Sequence, residues 1–338
     1  MNQLPKITII IVTLNNERTI GECVRTIMTQ DYPKHLIEYI NVDGGSTDAT
    51  KTILKKNKFR IIDSPIKKNA EAQRAIGLKH AKNNLIVSLD ADNYLPHKKW
   101  ITQMVRPFLE NKDIVHAGTL HFTHKKNDPA LNRYVALFGV VDPTVYYIGR
   151  PDRVPWFKNK WSGGDILRET PEYYIVRFNR DSLPTVGCNG VVYRRDILLK
   201  NAQSDPSRFI HIDVFADLFE KGHDKYAVVK NDVIHDTAIN LTTLMKKRIA
   251  FLYAYYYLNS NKNVLKRRYL IYNPKKPQDV FRLFVFIFYT ITFVKPLIDS
   301  IRGYFIVRDV AWFLHPIMCW VYLYAYSLAT IKKFLGDR

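Results

Sequence analysis

Two aspartates, Asp90 and Asp92, flank Ala91 at the end of the apolar run Leu85–Leu89. Carboxylates this close repel one another unless a cation lies between them. A hard divalent ion such as Mg2+ or Mn2+ takes one or two carboxylates together with phosphate oxygens. The plain alternative is a solvated acidic turn, since Asp is common in loops. A second polar stretch, Asp43-Gly44-Gly45-Ser46-Thr47-Asp48, follows the run Tyr39–Val42. Its glycines permit backbone to approach a ligand closely, and Asp43 can accept hydrogen bonds from a base or ribose. A βα turn with a helix cap is the alternative there. A third stretch, Thr13-Leu14-Asn15-Asn16-Glu17, closes the run Ile7–Val12. Strand carboxyl ends are where open α/β sheets bind ligands, and three polar strand ends on one edge weigh more than any one of them.

These segments need a sheet to position them. Ile7–Thr13 is a continuous β-branched run, hence a buried strand, and Ile20, Val24, Ile27 and Met28 recur at helical spacing over Glu17–Gln30. Tyr39–Val42 is a second strand, with a helix after it that Ser46 or Thr47 can cap. Phe59–Ile62 and Leu85–Leu89 are strands; Ala70–Ala81 and Trp100–Leu109 are helices. The alternation predicts an α/β fold with a doubly wound, mainly parallel, Rossmann-like sheet. Residues 120–185 turn rich in Tyr, Trp, Pro and Arg with weak periodicity, as an inserted or lid-like region over the open face would. A compact pattern returns with strands at Val191–Tyr193 and Tyr226–Val229 and a helix at Ile212–Glu220. The expected organisation is a domain over 1–240, in halves 1–118 and 119–240, followed by a basic helical region over 241–338.

The 338 residues suit one large domain with an appendage, or two domains, and 47% apolar content excludes a disordered chain. Cys23, Cys188 and Cys319 are too far apart for a disulfide scaffold or a CxxC zinc module, and they suit a reducing compartment. The N-terminal residues carry no signal-peptide pattern. There is no GxGxxG fingerprint and no Walker-type loop, which argues against a dinucleotide enzyme or an ATPase.

Net charge is +20, and residues 240–338 hold 16 basic against 4 acidic residues. The charges flank long aromatic and aliphatic runs and match no nucleic-acid recognition motif, so membrane lipids are the expected partner and nucleic acid is not. Val310–Ile331 contains no Asp, Glu, Lys or Arg, is long enough to span a bilayer, and carries the interface-loving Trp312, Trp320, Tyr322, Tyr324 and Tyr326. Leu283–Val294 is a shorter apolar run ended by Lys295-Pro296, suited to half a helical hairpin or to the membrane interface. Two buried core helices are the alternative for both runs.

In order and spacing, Ile9–Glu17, Val42–Asp48 and Ser88–Asp92 resemble the signature of family 2 glycosyltransferases, which have the GT-A fold. The resemblance covers residues 5–115 and runs more weakly to 236; it is specific for family and not for substrate. It implies a nucleotide-sugar donor, with Thr13, Glu17 and Asp43 on the nucleoside and Asn15 and Gly44 beside them. It also implies that Asp90 and Asp92, around Ala91, hold a metal–diphosphate with Mn2+ or Mg2+, Asp92 being the direct ligand. Arg74 falls in a stretch that lines the donor site in relatives, and His235 is placed on the metal or diphosphate, an ordinary structural histidine being the equal alternative. Pro184–Gly190 resembles the acceptor loop, where Gly187 and Gly190 suit a tight turn and Asn189 reads a hydroxyl; Cys188 is taken as packing.

Such enzymes usually invert the anomeric centre with an Asp base at the start of a late helix, often within a Glu-Asp pair. Phe209-Ile210-His211-Ile212-Asp213 lacks that pair. Asp213 is the base candidate and His211 the runner-up; a helix cap is the alternative role for Asp213. The implied acceptor is a lipid-linked saccharide or another group at a membrane surface, with the enzyme at the cell membrane and its catalytic domain cytoplasmic. A polyprenyl-phosphate glycosyltransferase resembling dolichol-phosphate-sugar synthases is the competing expectation, because an anionic acceptor needs no base. A nucleotidyltransferase would usually open with a Gly-rich basic loop where Asn15-Asn16-Glu17 stands.

Overall fold

A computed structural model describes residues 3–236, 240–253, 270 and 272–335. The chain forms two compact units: unit 1 comprises Met1–His121, Gly163–Asn179 and Val186–Asp236, and unit 2 comprises Phe122–Ser162, Arg180–Thr185 and Thr237–Arg338. This differs from the expected boundary near 240. The aromatic segment after residue 121 joins the C-terminal helices instead of completing the sheet domain.

Unit 1 opens with β1 (Ile7–Thr13), α1 (Glu17–Met28), β2 (Ile37–Asp43), α2 (Thr50–Lys56), β3 (Arg60–Asp63), α3 (Ala70–His80), β4 (Leu85–Asp90), β5 (Asn93–Tyr94), α4 (Trp100–Glu110) and β6 (His116–Phe122). All seven residues of β1 are buried, as a strand covered on both faces requires. Ile7, Ile9 and Ile11 face a core shared with Ile20, Val24 and Ile27 of α1 and Trp100, Ile101 and Met104 of α4. The other face carries α3, which approaches so closely that a Cβ on Gly77 would lie 2.7 Å from Ile10 Cγ2.

The rest of unit 1 is β7 (Asp165–Glu169), β8 (Tyr173–Arg177), β9 (Val191–Arg194), α7 (Arg195–Asn201), α8 (His211–Glu220) and β10 (Lys225–His235). The sheet runs β3-β2-β1-β4-β9-β6-β10-β8-β7, with β5 paired to β10. The first four strands of this order pair parallel with one another. β9 pairs antiparallel with both β4 and β6, and β8 antiparallel with β10 and β7. The sheet is therefore mixed, which corrects the expected mainly parallel one. Parallel neighbours need a crossover of a dozen residues or more, whereas β7 and β8 are joined by a tight turn that permits only antiparallel pairing. The residues expected to cap α2 do other work: the helix begins at Thr50, after Ser46 and Thr47 have bonded to Asn15.

In unit 2, α5 (Ala130–Phe138) and α6 (Pro143–Tyr147) pack with α9 (Leu241–Tyr253), α10 (Pro277–Thr292), α11 (Val294–Ile306) and α12 (His315–Leu335). The aromatic stretch expected as a lid is core here. Phe157 lies against Trp312 with ring centroids 5.5 Å apart, Trp161 is buried, and Trp156 Nε1 donates to Phe122 O. Tyr134 and Tyr147 hydroxyls contact the two ring nitrogens of buried His315 at 3.0 and 2.8 Å.

The expected span Val310–Ile331 is two elements, a 3-10 turn over Val310–Leu314 followed by α12. Among the described residues no single helix is long and apolar enough to cross a membrane; α10 and α11 pass that test only as a pair, bent by 77°.

Candidate active site

β1, β2 and β4 end level because their parallel registers align Thr13 with Asp43 and Val12 with Asp90. Thr13 Oγ1 donates to Asp43 Oδ1 at 3.0 Å, while Asp43 Oδ2 accepts from the backbone N–H groups of Gly45 and Ser46 at 2.8 and 2.7 Å. Burial alone would raise the Asp43 carboxyl, but the bonds from Ser46, Gly45 and Thr13 outweigh it and hold the group below the usual carboxylate range. Asn15, in the left-handed region with φ 53°, a conformation its short polar side chain tolerates, donates its N–H to Ser46 Oγ and accepts from Thr47 N–H. Glu17 N–H donates to Asp48, and Ala49 N–H donates to Glu17 Oε2. These bonds close the loops after β1 and β2 onto each other.

Packing also requires a glycine at position 44. A Cβ there would lie 2.9 Å from Gln73 Nε2, which itself donates to Thr13 O and Val42 O. The space beside Gly44 thus belongs to a buried glutamine that pins the two strand ends.

The Asp90-Ala91-Asp92 turn meets β10 through β5, where His235 pairs with Asn93. That pairing brings His235 Nε2 to 3.8 Å from Asp92 Oδ1. Asn93 Nδ2 donates to Asn189 Oδ1 at 3.2 Å, tying the turn to the loop over 186–190, and Asp236 N–H donates to Asp92 O. Gly190 is left-handed with φ 66°, and a Cβ there would lie 2.9 Å from Val233 Cγ2, so glycine is required for two reasons. Gly187 lies half-buried earlier in the same loop. Among the described residues no three His, Cys, Asp or Glu side chains are grouped to hold a metal ion by themselves. Asp92 and His235 offer one carboxylate and one imidazole, a set that fits a divalent ion completed by phosphate oxygens. Asp90 stands apart from this pair, since Arg74 Nη2 binds its Oδ1 at 2.5 Å.

Arg74 is part of a buried charge network. Its Nη1 lies 2.9 Å from Glu71 Oε1, and Glu71 in turn accepts from His211 at both Nδ1 and the backbone N–H, each at 2.8 Å. Burial raises the Glu71 carboxyl, yet His211 and Arg74 overcome this and pull it down to about 2. Burial likewise disfavours a charged His211, but Cys188 and Glu71 raise its pKa well above the ordinary value. His211, the runner-up for the general base, has its Nδ1 engaged with Glu71 at 2.8 Å. Asp213, buried in the first turn of α8, keeps that candidacy. The N-cap of α8 is Ile210, which has no side-chain cap, so Asp213 does not fill that role.

Glu71→Gln removes the carboxylate that faces buried His211 and one of the two that Arg74 binds, leaving Arg74 only Asp90. Its expected cost is about 3 kcal/mol of folding stability at pH 7. Because the folded-state pKa is depressed, the wild-type contribution is fully present above about 4.5 and is lost as pH falls toward 2. Urea unfolding at pH 7 and pH 3 measures both statements; equal stability of variant and wild type at pH 7 refutes the first.

Thr13, Asn15, Asp43, Gly44, Arg74 and Asp90 thus gather at one sheet edge, Asp92 meets His235, and Asn189 joins them through Asn93. Glu71, Gln73 and Asn93 were not singled out from the sequence. A signal existed for the first two: Glu71-Ala72-Gln73-Arg74 places three long polar side chains together in a helix whose neighbours are small or apolar.

The parallel strands with polar carboxyl ends, continued by an antiparallel half, define a GT-A-like fold. The solved mannosyltransferase PcManGT from Pyrobaculum calidifontis, in complex with GDP-Man and Mn2+, aligns over 100% of this chain and 89% of its own with a TM-score of 0.51 at 15% identity. The glycosyl transferase family 2 profile matches residues 8–200, more than half of the chain. The chain belongs to that family and is a glycosyltransferase. Glycosyltransferase AglE of Haloferax volcanii is 26% identical over 208 residues, 55% of this chain and 67% of AglE. A Methanococcus voltae relative, named dolichyl N-acetyl-alpha-D-glucosaminyl phosphate 3-beta-D-2,3-diacetamido-2,3-dideoxy-beta-D-glucuronosyltransferase, is 34% identical over 94 residues. That match covers 26% of this chain and 29% of the relative.

Proposed function

We propose an inverting, metal-dependent glycosyltransferase that moves a sugar from a nucleotide-sugar donor to a lipid-linked saccharide or another membrane-surface acceptor, in glycan biosynthesis. Family membership supports the nucleotide-sugar donor. The observation that carries the reading is the meeting of Asp92 with His235 beside the strand ends of Thr13, Asp43 and Asp90. Asp92 and His235 would hold the ion. When bound, a divalent cation there neutralises charge gathering on the leaving diphosphate. The Mn2+ of the Pyrobaculum complex is in keeping with this ion and the name of the Methanococcus relative with this acceptor.

Asp213 takes the proton of the acceptor hydroxyl while its oxygen attacks the anomeric carbon. The bond from that carbon to the diphosphate breaks, and its electron pair leaves with the nucleoside diphosphate. Asp43 and Thr13, already fixed by their mutual bond, present a preorganised edge to the nucleoside. The enzyme works at the cell membrane with its catalytic unit on the cytoplasmic side, where the donor is dissolved.

A thermal-shift screen of detergent-solubilised protein against UDP- and GDP-sugars, with and without Mn2+, tests the donor site. A ligand at a hundred times its Kd stabilises the folded state by about 2.7 kcal/mol. A Mn2+-dependent rise with one nucleotide is expected. No shift with any nucleotide sugar removes the donor assignment.

A further inference from the structure

The helices α10 and α11 have their polarity inverted. The stripe Phe281, Phe284, Phe288 and Ile291 recurs at helical spacing on α10 and is exposed, as is Val294, Ile298, Ile301 and Phe305 on α11. Their buried faces carry Asp279 and Thr290 with Phe286 on α10, and Asp299, Ser300 and Gly303 with Pro296 on α11. Each inward polar group is bonded within unit 2. Asp279 accepts from Arg180 Nη2 at 3.1 Å, Asp299 from Tyr147 Oη at 3.0 Å, and Ser300 Oγ donates to Trp312 O at 2.8 Å. A helix stabilised in water does the opposite and hides its apolar stripe. Across the described residues, every large exposed hydrophobic side chain except Ile166 and Leu167 lies between residues 280 and 335. A monomer in water rarely keeps so extensive an apolar surface.

The charge distribution names the occupant. Between residues 272 and 335 the only acidic residues are Asp279, Asp299 and Asp309, and all three are buried. Lys275, Arg302 and Arg308 are exposed, so the outward charge of this segment is wholly basic apart from its apolar stripes. Apolar stripes edged by cations match an anionic lipid surface.

Geometry sets the mode. α10 is 16 residues and α11 is 13, which at helical rise makes about 24 and 20 Å, short of a hydrocarbon core of about 30 Å. The pair turns by 77° at Phe293, a left-handed residue with φ 60°. We propose that the outward faces of α10 and α11 seat this protein in one leaflet of an anionic membrane, lying in the interface without crossing it. This deepens the membrane-acceptor reading by naming the surface that reaches the membrane. It rests on that reading for the enzyme's place at a membrane, and its own observations come from unit 2 alone.

Flotation of the purified full chain, diluted from detergent onto phosphatidylcholine vesicles with or without phosphatidylglycerol, tests it. The wild type is expected to float with both and more tightly with the anionic lipid, the difference shrinking in high salt. Phe281→Ser with Phe284→Ser and Phe288→Ser is expected to lower partitioning by at least about a hundredfold, while its Mn2+- and nucleotide-dependent thermal shift stays that of the wild type. Should that variant fail to fold, Arg302→Glu with Arg308→Glu gives the second readout, loss of the anionic preference. Trypsin sealed inside the vesicles is expected to leave the bound chain intact.

Wild type that stays at the bottom of the gradient overturns the proposal, as do variants that float as the wild type does. Cleavage by the enclosed trypsin overturns the one-leaflet mode. A wild-type dimer that the triple substitution dissociates, with no flotation by either, assigns the face to a second copy of the chain and overturns the lipid assignment. In each failure the thermal shift still reports on the donor site, so the loss of the docking surface is told apart from the loss of the enzyme reading.

Discussion

Asp92→Ala yields a folded protein whose kcat/KM falls by about a thousandfold, ~4 kcal/mol of transition-state stabilisation, the range seen when one preorganised charge-stabilising group is removed. Asp92 is the carboxylate that faces His235, at 3.8 Å, whereas Asp90 is held by Arg74. Loss of Asp92 leaves a single protein donor, His235, for the cation, so the Mn2+-dependent part of the nucleotide thermal shift disappears along with turnover. Asp92 is partly exposed, with a side chain 27% accessible, so removing it costs the fold little. Steady-state rates and thermal shifts of variant and wild type, with and without Mn2+, decide it. Unchanged activity removes Asp92 from the metal site. Asp90→Asn separates the two aspartates, because it disturbs Arg74 and through it Glu71.

Asp213→Asn is nearly isosteric and lowers kcat by about a hundredfold to ten-thousandfold when the acceptor is a hydroxyl, the usual contribution of a general base. Asp213 sits buried in the first turn of α8. It stands two residues from His211, whose Nδ1 is engaged with Glu71 at 2.8 Å. The variant's donor affinity, read by the thermal shift, is expected to match the wild type, which separates lost base catalysis from lost binding. Near-normal turnover would mean that the acceptor oxygen is already anionic, and the enzyme would then act on a polyprenyl phosphate.

The parallel half of the sheet was legible residue by residue. Ile7–Thr13 announces a strand through an unbroken β-branched run, and α1 through the spacing of Ile20, Val24 and Ile27; both stand where expected. The polar clusters after β1, β2 and β4 were legible too, because a strand end is a local event. The antiparallel half was legible in part: Val191–Tyr193 and Tyr226–Val229 read as strands and lie in β9 and β10, whereas β7 and β8 left no such mark. β7 has all five residues exposed, so it carries no hydrophobic alternation to find, and β8 was hidden in a segment whose aromatic content suggested a lid. The link from Glu71 to His211 joins residues 140 apart and leaves no mark on either neighbourhood.

What the sequence by itself determined is the succession of strands and helices over its first hundred residues, the polar groups at their ends, and the family those groups signal. All of this rests on short-range pattern, which any local stretch of chain carries with it. Only the tertiary structure decided which of two neighbouring aspartates meets His235, that Gln73 occupies the space beside Gly44, and that α10 and α11 turn Asp279 and Asp299 inward and Phe281, Phe284, Phe288 and Phe305 outward. Periodicity marks two faces on a helix, but which face is covered depends on what packs against it, and that is settled by residues far away in the chain.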